Sequence, residues 1–273
     1  MIRPLQSGDA FVADVRAAAP GGLHLWWLGQ SGFLVAWEGR HLLLDPYLSD
    51  SLTRKYADTD KPHVRMTELV VEPSRLDFVD AVTSSHAHTD HLDPDTLRAL
   101  PDVPIVAPAA HRALVAERAG RELLAIDDGE TVDVAGFSIT AVPAAHEAIE
   151  RDDAGRMLHL GYVVRCGPFA LYHAGDTIPY DDQAARVSAV ADIDVALLPI
   201  NGRLPERRVT GNLWGDEAAA LAHAIGAGLA VPMHFELFEF NTEPPDAFVT
   251  ACEGLGQPYR VLRAGERLSL PQP

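Results

Sequence analysis

The chain has only two cysteines, Cys166 and Cys252, and they form no Cys-x-x-Cys pair. That argues against a disulfide framework or thiolate metal sites, and both read as small buried residues. Basic residues are also scarce: 22 Lys and Arg stand against 39 Asp and Glu, for a formal net charge of −17. A nucleic-acid partner needs a basic face, so the nucleic-acid-binding classes fit poorly. No apolar run approaches the length of a membrane span, and Met1 to Asp9 lack the apolar core of a signal peptide, so the expected location is the cytoplasm. Low-complexity stretches and linkers are missing too. The expectation is therefore one domain over residues 1–273, with 47% hydrophobic residues to fill a substantial core.

What the chain does have is histidine, twelve in all, with three of them in the run His86-Ala87-His88-Thr89-Asp90-His91. The run follows an apolar, strand-like stretch, Asp80 to Ser85. In extended backbone, residues two apart project to the same side, so His86 and His88 can grip one cation. Asp93-Pro94 reads as a helix N-cap followed by proline at the first helical position, so Asp90 and His91 lie beyond a bend and point elsewhere. Neutral imidazole and carboxylate are the ligands that borderline divalent cations such as Zn²⁺ prefer. Three further strand-like runs end in groups of ligand type: Phe137 to Val142 leads to His146, Phe169 to His173 leads to Gly175-Asp176, and Leu229 to Met233 leads to His234.

His-x-His-x-Asp-His after a strand resembles the signature of the metallo-β-lactamase fold superfamily. The resemblance implies an α/β fold, a four-layer αββα sandwich with two sheets inside and helices outside. It also implies two divalent metal ions, Zn or Mn: His86, His88 and His146 on one, Asp90, His91 and His234 on the other, and Asp176 bridging. Such a pair makes a hydroxide available as nucleophile and polarises a scissile carbonyl or phosphoryl oxygen. Asp90 is the group expected to orient the water and pass a proton to the leaving oxygen, and His173 is expected to act beside Asp176. Flavodiiron relatives carry Glu where His88 stands, so a hydrolase is favoured over a redox enzyme.

Short strands alternate with helices along the chain. The pattern predicts a capped amphipathic helix from Ser7 to Ala19, strands at Leu23 to Leu28, Gly32 to Trp37 and His41 to Asp45, a strand at Pro104 to Ala107, a helix from Pro108 to Ala119 closed by Gly120, and a strand at Glu122 to Ile126. In the second half it predicts strands from Thr131, helices near Asp181 and Gly215, and closing strands containing Val231 and Val261. Two long loops are candidates for specificity. Pro46 to Ser74 carries Arg54, Lys55, His63 and Arg65; Asn201 to Trp214 carries Arg203, Arg207 and Arg208, the expected holders of an anionic substrate group.

Leu25 to Gly32, Asp45-Pro46, Ser85 to Asp93, Tyr172 to Asp176 and Asp194 to Leu197 through Thr210 to Trp214 together resemble the L-ascorbate-6-phosphate lactonases and their relatives, which are manganese-associated. One departure is His146, where that group tends to carry Asp; a nitrogen ligand is more zinc-like. The expected function is hydrolysis of a small anionic ester or lactone, with a phosphorylated sugar-acid lactone among the candidates. The alternatives are a phosphodiesterase for phospholipid-like or cyclic substrates, with Phe235 to Phe240 lining an apolar groove, and a non-catalytic metal-dependent binding or sensor protein. The expected partner is a small-molecule substrate, with no nucleic acid and no membrane span; a homo-oligomer is left open.

Overall fold

Thirteen strands form two sheets in the computed structural model, which describes residues 1–272. The first sheet opens with a meander: β1 (Gly22–Gly29), β2 (Gly32–Trp37) and β3 (Arg40–Leu44) pair antiparallel in succession. The parallel strands β4 (Ala81–Thr83), β5 (Ile105–Pro108) and β6 (Leu123–Ile126) follow. The second sheet begins with the antiparallel strands β7 (Thr131–Val134), β8 (Phe137–Pro143), β9 (Leu160–Cys166) and β10 (Phe169–His173). It continues with β11 (Val195–Pro199) and β12 (Leu229–Met233), both parallel to β10. Strands β10 and β11 are buried at every position. Apolar residues without alternation are what a parallel sheet covered on both faces requires.

The helices are α1 (Gly8–Arg16), α2 (Ser51–Lys55), α3 (Pro94–Ala99), α4 (Arg112–Ala119), α5 (Gln183–Ser188), α6 (Gly215–Ala224) and α7 (Asp246–Leu255). Helix α1 buries Phe11, Val12 and Val15 and starts one residue after Ser7, which sits at the N-cap position without a side-chain capping bond, and it stops at Arg16 rather than Ala19 because Pro20-Gly21 forces the turn into β1. Helix α4 is likewise shorter than its pattern. Pro108 stays in register with Ile126, a single turn of 3₁₀ helix intervenes, and Gly120 closes the helix in the left-handed region. Asp93 caps α3 by accepting from the Thr96 amide, with Pro94 at the first position, so the bend after His91 lies where the sequence puts it.

The closing strand departs from expectation. Val261 lies in irregular chain, because Pro258 breaks the run and only Tyr259 forms an isolated bridge, to Ala230. The last strand, β13 (Arg267–Pro271), instead crosses to the first sheet and pairs antiparallel with β1. Its alternation of exposed and half-buried residues suits an edge. No helix of the described residues is long and apolar enough to cross a membrane.

Candidate metal centre

The ends of four strands meet at one edge of the molecule, where the C-terminal ends of parallel strands leave a crevice in α/β sheets. After β4 come His86, His88, Asp90 and His91; after β8, His146; after β10, Asp176; and directly after β12, His234. Their ligand atoms fall into three overlapping groups: His86 with His88 and His146, His86 with His91 and Asp176, and Asp90 with His91 and His234. The spacings are short. His146 Nε2 lies 3.3 Å from His88 Nδ1, His91 Nε2 lies 3.3 Å from Asp176 Oδ1, and His234 Nε2 lies 3.3 Å from Asp176 Oδ2. Nitrogen ligands on a tetrahedral zinc ion are separated by about 3.3 Å, so these atoms already stand at the edges of coordination polyhedra.

Hydrogen bonding gives the same answer. His86 Nε2, His91 Nε2 and Asp176 Oδ1 are buried and have no hydrogen-bond partner, although buried polar atoms are ordinarily paired. The far side of two rings is firmly held. Asp45, fully buried at the end of β3, accepts from His91 Nδ1 at 2.6 Å and from the Ser85 amide at 2.8 Å. The Ser85 hydroxyl donates to Asp45 and lies 3.0 Å from His86 Nδ1. A carboxylate behind an imidazole fixes its tautomer and leaves Nε2 free to face a cation. The residues present thus fit a pair of divalent ions.

The electrostatics divide the ring set. Burial drives His86 well below the usual imidazole pKa and His146 down to about 4, so both rings are neutral. Burial also opposes charge on His91 and His234, but the carboxylates of Asp176 and Asp90 outweigh it, holding His91 well above its ordinary value and His234 at about 9. Burial likewise works against the Asp176 carboxylate, yet His234 and His91 keep it ionised. In the metal-free protein, protons on two rings supply positive charge that the carboxylates demand.

Residues 40–235 match the sequence model of the beta-lactamase superfamily domain. The chain belongs to the beta-lactamase superfamily. Among this superfamily chain's curated relatives is the UPF0173 metal-dependent hydrolase of Opitutus terrae, 32% identical over 257 residues, which cover 91% of this chain and all of that one. A UPF0173 metal-dependent hydrolase of Methanoregula boonei is 29% identical over 91% of this chain and 99% of its own. Solved structures share the fold. A possible metal-dependent hydrolase of Veillonella parvula superposes with a TM-score of 0.74 at 16% identity, over 92% of this chain and all of that one. A metallo hydrolase of Ignicoccus hospitalis gives 0.68 at 22%, over 91% and 98%.

Around this cluster of histidines and aspartates, several expected residues fall elsewhere. His173 is fully buried, with Nε2 donating to the Ser31 carbonyl at 2.8 Å and Nδ1 accepting from the Gly175 amide at 3.3 Å, so it braces the turn into Asp176. The structure does not bring Arg203, Arg207 or Arg208 to the ligand cleft: Arg203 makes two 2.6 Å bonds to Glu217, Arg207 pairs with Glu243, and Arg208 pairs with Asp60 at the surface. The cleft is lined instead by Lys55, Tyr56 and His63 of the first loop, Arg118 of α4, and Phe238 and Phe240 beyond β12.

Three residues had no role assigned from sequence. Asp45 stands behind His91. Gln30 donates its amide to Asp90 Oδ2 at 2.8 Å and approaches His234 Nε2 at 3.0 Å. The His159 ring lies 5.2 Å from that of His86 and 5.4 Å from that of His146. The signal for the first two was their position at strand ends within the lactonase-like stretches Leu25 to Gly32 and Asp45-Pro46; His159 precedes a strand and gave none.

Proposed function

We propose that the chain is a dinuclear metal-dependent hydrolase of a small anionic ester or lactone. His86, His88 and His146 would hold one ion and Asp90, His91 and His234 the other, with Asp176 available to both groups. The observation that carries this reading is the convergence of His86 Nε2, His91 Nε2 and Asp176 Oδ1, buried and without hydrogen-bond partners. When bound, two such ions supply Lewis acidity and lower the pKa of water toward neutrality. The chain's own groups do the rest. Asp45 and Ser85 fix the imidazoles, and Gln30 holds the Asp90 carboxylate by one oxygen. Asp90 lines the cleft, where it can accept a proton and hand it to a leaving oxygen. The cleft encloses about 260 Å³, below the roughly 300–1,000 Å³ typical of drug-sized ligand pockets, which supports a small substrate over a phospholipid.

The test is a panel of aryl esters, sugar lactones and aryl phosphodiesters offered to protein loaded with Zn²⁺ or Mn²⁺. An ester or lactone is expected to turn over, activity to disappear on chelation and return with metal, and Asp90→Asn to lower kcat by about 10²–10⁴-fold. Turnover of phosphodiesters alone would replace the ester reading. No turnover with both ions bound would make the protein a binding module.

A further inference from the structure

The walls above the ligands have a composition of their own. On one side four rings form a continuous ledge. Tyr56 and His63 stack with centroids 4.2 Å apart at 19°, Phe240 meets His63 edge-on at 4.5 Å, and Phe238 does so at 5.1 Å. Tyr56, His63 and Phe240 are only half-buried, so their outer faces remain open to the cleft. The ledge is built rather than fortuitous: Thr53 Oγ1 donates to the His63 carbonyl at 2.8 Å and draws the first loop back over α2, while Phe238 packs on Tyr47 beneath. Aromatic rings at a cleft wall bind flat apolar bodies by stacking and edge contact.

Two cations line the same cleft. Lys55, at the end of α2, is exposed, has no ion-pair partner among the described residues, and sits 5.0 Å over the Tyr56 ring. Arg118, on α4, donates Nη1 to the Ala87 and Leu92 carbonyls at 2.6 and 3.1 Å and likewise has no carboxylate within ion-pair distance among the described residues. In a chain with 39 acidic residues against 22 basic ones, cations left without carboxylates in a cleft call for an anion. By contrast, Arg203, Arg207 and Arg208 have each found an acid.

We propose that the substrate is a planar, ring-bearing ester or lactone that also carries a carboxylate or phosphate. The flat body lies on the Tyr56, His63 and Phe240 ledge, and Lys55 and Arg118 hold the anionic group while the reacting bond faces the ligand set. This rests on the hydrolase reading above and adds the shape and charge of what is hydrolysed.

Binding and turnover test it separately. Calorimetry on metal-loaded protein compares para-hydroxybenzoate with phenol, and kinetics compares para-carboxyphenyl acetate with phenyl acetate. The charged member of each pair is expected to be favoured roughly tenfold or more, the scale of one charge-assisted hydrogen bond. Lys55→Ala is expected to cut that preference in both assays, and Phe240→Ala to weaken both aryl ligands together. Arg118→Gln also loosens the Ala87 and Leu92 carbonyls, so Lys55→Ala, altered at an exposed side chain, is the deciding variant. Equal binding of the charged and neutral phenols, or a preference that survives Lys55→Ala, overturns the proposal. If no acetate ester is turned over while the binding preference and its loss hold, the ester chemistry fails and the anion-reading cleft stands.

Discussion

Asp45 shows how much one buried carboxylate can organise. Its side chain is fully buried and does not line the cleft, yet one oxygen accepts from His91 and the other from the Ser85 amide, while the Ser85 hydroxyl bridges it toward His86. Removing its charge while keeping its shape, as in Asp45→Asn, takes away the partner that orients His91. Metal affinity is expected to fall about 10–100-fold, the usual effect of losing a hydrogen-bond partner behind a metal ligand. A chelator competition measures it, and wild-type affinity in the variant would show that His91 is oriented by other means. The histidines and aspartates that the structure brings together were legible in the sequence because their spacing carries chemistry. The role of Asp45 was not, although Asp45-Pro46 belongs to the lactonase-like pattern, because the partner that gives it meaning is 46 residues away. The three loop arginines illustrate the converse: a cationic loop is visible in a sequence, but the acids that take up its charge are not.

At the scale of elements, the site is made by the turns that end strands. Gln30, Asp45 and His234 all have positive φ, at 51°, 41° and 61°, in the left-handed region that non-glycine residues seldom occupy. Strain of this kind persists only where surrounding structure enforces it, and here the His234 amide donates to the Gln30 carbonyl at 2.9 Å, which also accepts from Trp27 Nε1 at 2.9 Å. Trp27 in turn stacks on Phe235 at 4.7 Å, so the turn after β1 and the turn after β12 are clamped together beside Asp90, His91 and His234. The turn before Asp176 uses glycine. Gly175 has φ of 62°, and a Cβ there would come within 2.6 Å of the Leu160 carbonyl oxygen and 2.9 Å of Ser85 Cβ. Gly175→Ala is expected to lower the unfolding free energy by about 1–3 kcal/mol and to shift the carboxylate that follows. Denaturant unfolding and metal content read the two effects, and an unchanged stability would mean that β9 and Ser85 give way freely. Strands and helices with clear periodicity were foreseeable, whereas β13 was not: its alternating residues fit any half-covered sheet, and the choice of the first sheet depends on the long-range pairing with β1.

Across the whole molecule, strand ends from both sheets bring together one cluster of histidines and aspartates, proposed above to hold two cations, in a chain that is otherwise strongly acidic. The family match and the curated relatives agree with a metal-dependent chemistry, and the charge distribution gives that agreement a physical basis. Asp45, Asp90 and Asp176 cluster at one edge, and in the metal-free protein the protons on His91 and His234 offset them. A ring must be deprotonated to bind metal, so loading displaces those protons. The sign follows from the raised values. Below about 9 His234 is protonated without metal, so protons compete with metal at neutral pH, and that competition fades as pH rises through about 9. The most direct measurement is a calorimetric titration of Zn²⁺ into metal-free protein at several pH values and in buffers of different ionisation enthalpy. Two ions bound per chain, with proton release at pH 7 that diminishes above about pH 9, is the predicted result. Failure to bind zinc, or binding of a single ion without proton release, would show that the clustered histidines and aspartates do not form a dinuclear centre.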